Sequence, residues 1–195
     1  MTVVVEKSEW ITARRDLLTA EKSLQTARDE LAAKRRALPA LRLDVDYEFL
    51  GEQGCQSLVS LFGEQTQLLV YHFMFHPDWD EGCKSCSFWA DSFDGAIPHL
   101  KARDVAFAVI SRGPLDKLTA YKQRMGWSFP WLSSEDSMFN YDLEVSFTPE
   151  QVEDRSARGL DPLNPVYQLL DLLPRGRDEE KLPYPMDRVR RNDAY

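Results

Sequence analysis

Positive charge is scarce in this chain: 24 lysines and arginines stand against 32 aspartates and glutamates, a formal net charge of −8 over 195 residues. Such a surface repels a phosphate backbone, so nucleic acid is not an expected partner. Long apolar runs are missing as well. No stretch approaches the roughly 18 residues of a membrane span, and Met1–Glu6 lacks the charged-then-apolar order of a secretory signal. The chain reads as soluble and cytoplasmic, with no membrane partner. There is no G-x-S-x-G, no HExxH and no glycine-rich phosphate loop, so a hydrolytic nucleophile has no support. Three cysteines are too few for a disulfide scaffold, and their odd number leaves Cys55 over once Cys83 and Cys86 are paired. Cys55 follows Gly54 in a turn-like segment and reads as a small packed residue.

What is present centres on Cys83-Lys84-Ser85-Cys86. The pair lies between an apolar run, Leu68 to Phe75, and a helix-compatible stretch, Ser87 to Asp91. A CxxC where a buried strand hands over to a helix places the first thiol at a helix N-terminus, where unpaired N–H groups and the helix dipole favour the thiolate. Three roles remain open for the pair: redox chemistry, half of a metal site, and a structural pair. The metal reading would take His72, His76, Cys83 and Cys86, which are zinc-ligand types. Strand alternation, however, turns His72 toward the face opposite its neighbours, and it reads as a core histidine. Neither a metal nor a cofactor is expected.

With 43% hydrophobic residues, the chain is long enough for one core with terminal extensions. Residues 1–40 hold the clearest helix, from Ser8 as N-cap to Leu38 before Pro39. Trp10, Leu17, Leu24, Leu31 and Leu38 recur every seven residues, and Ala13, Ala20 and Ala27 fall three after the first three of them. This seam packs either on its own chain or on a second copy, making a homodimer through the N-terminal helix. From Val45 the pattern becomes strand Val45–Phe49, a turn at Gly51–Gly54, an apolar element Leu58–Phe62 and the buried strand Leu68–Phe75. A helix through Phe93 follows, interrupted before His99, then strand Val105–Ile110, helix Asp116–Met125 stopped by Gly126, and a short strand at Trp131-Leu132. This is a βαβ order with parallel neighbours. A late helix, Val166–Leu172, precedes a polar tail from Arg175 to Tyr195.

Tyr71-His72-Phe73-Met74-Phe75, Pro77-Asp78-Trp79, Glu81-Gly82-Cys83, Ser85-Cys86-Ser87-Phe88-Trp89-Ala90-Asp91 and Phe93-Asp94-Gly95 resemble the family catalogued as domain of unknown function eight-nine-nine. Trp10, Arg36-Ala37-Leu38-Pro39, Gly126-Trp127, Phe139–Asp142, Ser146–Glu150, Ala157–Gly159 and Arg190-Arg191 extend the match over nearly the whole chain. The resemblance implies a thioredoxin-like α/β fold, a mixed sheet with flanking helices, in residues 41–174, between the N-terminal helix and a tail at 175–195. It departs at Lys84, where proline is expected, at His76 for glycine, and at Asn192 for histidine. Lys84, a cation between the thiols, either favours the thiolate and makes the disulfide easier to reduce or is a neutral surface substitution. Between Glu153 and Arg155 the family carries roughly thirty more residues with a β-hairpin beside the strand that leads into the CxxC. This chain is then either a variant that repairs that edge, with Val45–Phe49 or a second chain, or a sequence lacking residues the intact protein carries.

The function this implies is a thiol-disulfide oxidoreductase or peroxide reductase, with Cys83 attacking and Cys86 resolving and a thiol reductant or small molecule as partner. Trp79, Lys84, Phe88, Trp89, Tyr141 and Pro149 are the expected substrate-binding residues. Pro149 reads either as a helix start or as a cis-proline neighbour of the thiols. The alternative is a non-redox protein binding or transforming an aromatic metabolite in the same cleft. Its walls would be Trp79, Trp89, Trp127, Phe129, Trp131 and Phe139, and its polar groups Asp78, Asp80, Tyr141 or the cysteines.

Overall fold

The computed structural model describes residues 3–143, 145, 165–172, 183 and 189–194. Its contacts divide the chain into two compact units, Met1–Val45 and Asp46–Tyr195.

The first unit is a single helix, α1 (Lys7–Arg36). It starts after Glu6 rather than at Ser8, which sits inside the first turn with its carbonyl accepting from Thr12 Oγ1 at 3.1 Å. No side chain caps it, and Lys34, Arg35 and Arg36 complement the negative end of its dipole. None of its residues is buried.

The second unit carries a five-stranded mixed sheet in the order β2-β1-β5-β4-β3. Strands β1 (Glu48–Gly51) and β2 (Gly54–Ser57) form a hairpin around Glu52-Gln53, and Gly54, at φ 101°, takes the left-handed backbone that such a tight turn demands. Strands β3 (Gln67–His72), β4 (Val105–Ser111) and β5 (Trp131–Ser133) run parallel, while β1 meets β5 antiparallel through Leu50 and Ser133. Between β3 and β4 lie α2 (Lys84–Ala90) and α3 (Ile97–Lys101), and α4 (Leu115–Met125) precedes β5. Gly126 ends α4 in the left-handed region at φ 74°. Among the described residues two short α-helices follow, α5 (Phe139–Asp142) and α6 (Pro165–Leu170). The mixed sheet, with the cysteine pair opening the helix after β3, is thioredoxin-like.

Strand alternation splits the core across the sheet. Phe107 and Val109 of β4 face a cluster of Phe73, Phe75, Cys86, Ala90, Leu118, Tyr121, Met125, Trp127, Phe129 and Trp131. Ala108 and Ile110 face the other side, with Tyr47, Phe49, Leu132 and Phe139. A cluster of Tyr167 and Val189, against which Phe88 packs, draws the C-terminal residues onto the domain, although the tail had read as polar.

Two expectations are corrected here. The helix after the CxxC stops at Ala90 rather than running through Phe93, and the interruption before His99 is a full break: α3 starts at Ile97 with Pro98 in its first turn, where proline is tolerated. Val45–Phe49 does not repair the edge of β3. Its strand is held by the hairpin with β2 and by β5, three places away in the sheet, and among the described residues β3 pairs with β4 alone.

Candidate functional site

Cys83 is the N-cap of α2, extended at φ −54° and ψ 126°. Its own N–H donates to the Met74 carbonyl at 3.1 Å, tying the loop back to the end of the β3 segment. That segment is fixed in turn: Phe73 N–H donates to the Ile110 carbonyl at 3.0 Å, and Ser111 Oγ donates to the Phe73 carbonyl at 2.7 Å. One helical turn carries the chain from Cys83 to Cys86, which is buried while Cys83 is half-exposed, and both are free thiols.

The two thiols are electrostatically unlike. The hydrogen bond from the Cys86 thiol lowers Cys83 most, and the backbone N–H groups of Cys86 and Ser85 with the Ser85 hydroxyl add to it. Together they outweigh burial and bring Cys83 down to about 6. The same hydrogen bond, now with Cys86 as donor, raises Cys86 well above the ordinary thiol range, and burial and the neighbouring Cys83 charge raise it further. Lys84 is not among the main causes: backbone N–H groups at the helix N-terminus, the Ser85 hydroxyl and the second cysteine favour the thiolate. Tyr71, on the Cys86 face of β3, is raised by burial and then by the two thiols, so it stays a protonated O–H beside Cys86.

A hydrogen-bonded chain buttresses the loop from behind. Ser87 Oγ donates to the Cys83 carbonyl at 2.9 Å and meets Tyr121 Oη at 3.0 Å. Arg191 Nε donates to Tyr121 Oη at 2.6 Å, and Arg191 Nη2 donates to the Gly82 carbonyl at 2.8 Å. Arg191 also pairs with Glu81 at 2.9 Å, and Asn192 Nδ2 donates to Asp91 Oδ1 at 2.8 Å beside the Trp127 indole N–H. The end of the chain thus grips the residues on either side of the cysteines. Ahead of them, Lys117 Nζ donates to the carbonyls of Pro77 and Trp79, both at 3.0 Å, and pins the loop from which the Trp79 ring emerges, 44% exposed.

Of the expected site residues, Cys83, Lys84, Cys86, Phe88 and Trp89 come together on α2, with Trp79 on the loop before it. Trp89 is buried, and Phe88 packs edge-on against Tyr167 with centroids 5.3 Å apart. Tyr141 belongs to α5, on the other side of the sheet, under the Arg112 guanidinium at 4.8 Å. Pro149 lies outside the described residues. The aromatic cleft is corrected: Trp127, Phe129 and Trp131 are core on one face, and Phe139 is core on the other. A groove lined by Glu52, Gln53, Lys122, Ser128 and Pro130 opens beside the start of β5.

The metal set does not assemble. His72 stacks on Phe139 at 5.2 Å, on the face away from Cys86, with Nδ1 unpaired among the described residues and its pKa lowered by burial. His76 is near Asp78 at 3.5 Å, and among the described residues no three His, Cys, Asp or Glu side chains gather. Nor, among those residues, is any helix long and apolar enough to cross a membrane.

Sequence reasoning missed Tyr71, Ser85, Ser87, Tyr121 and Arg191. Tyr71 and Ser87 carried a signal, being polar residues at positions whose spacing from Phe73 and Cys83 directs them to the core face. Arg191 carried none, because its partners lie 70 and 109 residues away.

The family model described as "Bacterial protein of unknown function (DUF899)" matches residues 1–157. No curated protein matches the sequence. Among solved structures, a Xylella fastidiosa PrxQ mutant is 18% identical with a TM-score of 0.42, covering 58% of this chain and 68% of its own. Xanthomonas campestris peroxiredoxin Q is 17% identical with a TM-score of 0.42, covering 61% and 70%. The bacterioferritin comigratory protein of Xanthomonas campestris, solved for its alkyl peroxide reduction activity, is 17% identical with a TM-score of 0.39, covering 55% and 64%.

Proposed function

The chain belongs to the DUF899 family of bacterial proteins, and we propose that it is a thiol-disulfide oxidoreductase working through Cys83 and Cys86. The observation that carries this reading is the placing of two free thiols one helical turn apart, a half-exposed one at the N-cap of α2 and a buried one behind it, an arrangement that lowers the first and raises the second. A thiolate is the nucleophile in disulfide exchange, and a protonated neighbour waits without competing for the substrate.

The Cys83 thiolate attacks one sulfur of a substrate disulfide, forming a mixed disulfide and expelling the other sulfur as a thiolate that takes a proton from water. Loss of the Cys83 charge removes what held the proton on Cys86. Cys86 then gives up its proton and attacks Cys83 Sγ, closing the Cys83–Cys86 disulfide and releasing the second substrate thiol. Two electrons leave the protein and two thiols leave the substrate. With a peroxide as electrophile, Cys83 becomes a sulfenic acid as the alkoxide or hydroxide departs, and Cys86 condenses with it to the same disulfide and water. An external thiol reductant restores the dithiol in either case. Trp79 supplies the exposed apolar surface against which a substrate rests.

Alkylation of the reduced protein against pH, followed residue by residue by mass spectrometry, tests the proposal. Cys83 is expected to react with a half-point near 6, and Cys86 to stay silent through pH 8. A Cys83 half-point at the unperturbed value of about 8.5 would remove the basis for the reading.

A further inference from the structure

We infer that α1 pairs with α1 of a second copy of this chain, head to tail. The helix presents Trp10, Leu17, Leu24 and Leu31 along one line, with Leu17 and Leu24 both 54% exposed, and nothing in the helix is buried. Ala13, Ala20 and Ala27 stand four residues before Leu17, Leu24 and Leu31. Leucine stripes of this kind are covered by another helix in water.

The partner is identified by how the seam fits itself. In a parallel pair, like meets like, so wide Leu–Leu layers alternate with narrow Ala–Ala layers. Helices spaced for leucine would then leave a void at every alanine. Turned head to tail with Leu24 against Ala27 of the partner subunit, each layer combines one large and one small side chain. Ala20 then meets Leu31 of the partner subunit, and Leu17 meets the aliphatic stem of Lys34 of the partner subunit. The same register brings Glu21 against Arg28 of the partner subunit, and Arg28 against Glu21 of the partner subunit, along one flank of the seam. It also sets Arg14 near Arg35 of the partner subunit, at the rim, where Arg14 is already bonded to Glu21 at 2.9 Å. This pairing does not depend on the redox reading.

Lysine cross-linking of the full chain, read with sedimentation, tests it. Lys7 and Lys34 are 27 residues apart, about 40 Å along one helix, and as far apart in a parallel pair. The antiparallel register brings Lys7 to within about 15 Å, measured along the axis, of Lys34 of the partner subunit. The expected result is a dimer at tens of micromolar that yields a Lys7–Lys34 link with a short spacer. In Leu24→Glu, both the dimer and the link are lost. Should that variant's helix melt by circular dichroism, the link in the unaltered chain still decides. A monomeric parent, or a dimer whose lysines link only like to like, overturns the inference.

Discussion

Cys83→Ser is expected to reduce disulfide exchange to the uncatalysed background, while Cys86→Ser performs the first attack and stops there. A hydroxyl at position 83 cannot become the anion that a thiol held near 6 becomes, whatever N–H groups surround it. Cys86→Ser leaves those groups and replaces the thiol by another donor, so Cys83 still ionises and attacks, and the mixed disulfide has nothing to resolve it. It accumulates and is seen as an added mass that reductant removes. Cys86→Ala separates two effects. It removes the donor that lowers Cys83 most, so the half-point of Cys83 alkylation rises above that of Cys86→Ser. Equal activity in Cys83→Ser and in the parent would show that the thiol is a bystander.

Gly82→Ala is expected to be more damaging than its one added methyl suggests. A Cβ at Gly82 would stand 2.6 Å and 2.8 Å from two ring carbons of Phe73 and 3.0 Å from one of Tyr121. Phe73 cannot swing aside, because it is buried with its ring centroid 4.7 Å from that of Trp131. The methyl therefore displaces the loop, and with it the carbonyl that Arg191 holds and the turn that aims N–H groups at Cys83. Overpacking of this kind costs roughly 1–3 kcal/mol. Urea unfolding measures that loss, and the Cys83 half-point rises with it. Gly95→Ala is the control, since a Cβ there meets nothing within 4 Å. Unchanged unfolding and an unchanged half-point in Gly82→Ala would mean the loop is not held as described.

The parts of the fold legible in the sequence were those set by local pattern. Cys83 could be placed at a helix start because an apolar strand ends and a helical stretch begins around it, and Gly126 could be read as a stop because only its left-handed backbone was needed. The Leu and Ala stripe of α1 was equally plain, but periodicity names a face and not what covers it. The site behind the cysteines was less legible, since Arg191 reaches Gly82 and Tyr121 through folding alone. The aromatics misled for a related reason. Trp131 and Leu132 are neighbours in sequence but lie on opposite faces of β5, so residues that gather in sequence separate in space. Which of the two readings of Lys84 holds could not be settled from adjacency in sequence, since N–H groups and the Cys86 thiol are the main groups acting on the Cys83 sulfur.

The central claim, that Cys83 and Cys86 form a redox pair with unlike thiols, is tested most directly by the pH dependence of the pair's reduction potential. Equilibration with glutathione buffers, followed by trapping of the free thiols, gives the midpoint at each pH. Reduction by two electrons takes up two protons below about pH 6. Above it, only one is taken up, because Cys83 stays a thiolate while Cys86 is protonated. Each proton is worth about 30 mV per pH unit in a two-electron couple. The account predicts one cooperative transition whose midpoint falls by about 59 mV per unit below pH 6 and by about 30 mV per unit from there to pH 8. A pair that forms no disulfide at any poise, or one whose midpoint keeps the steeper slope to pH 8, would contradict it.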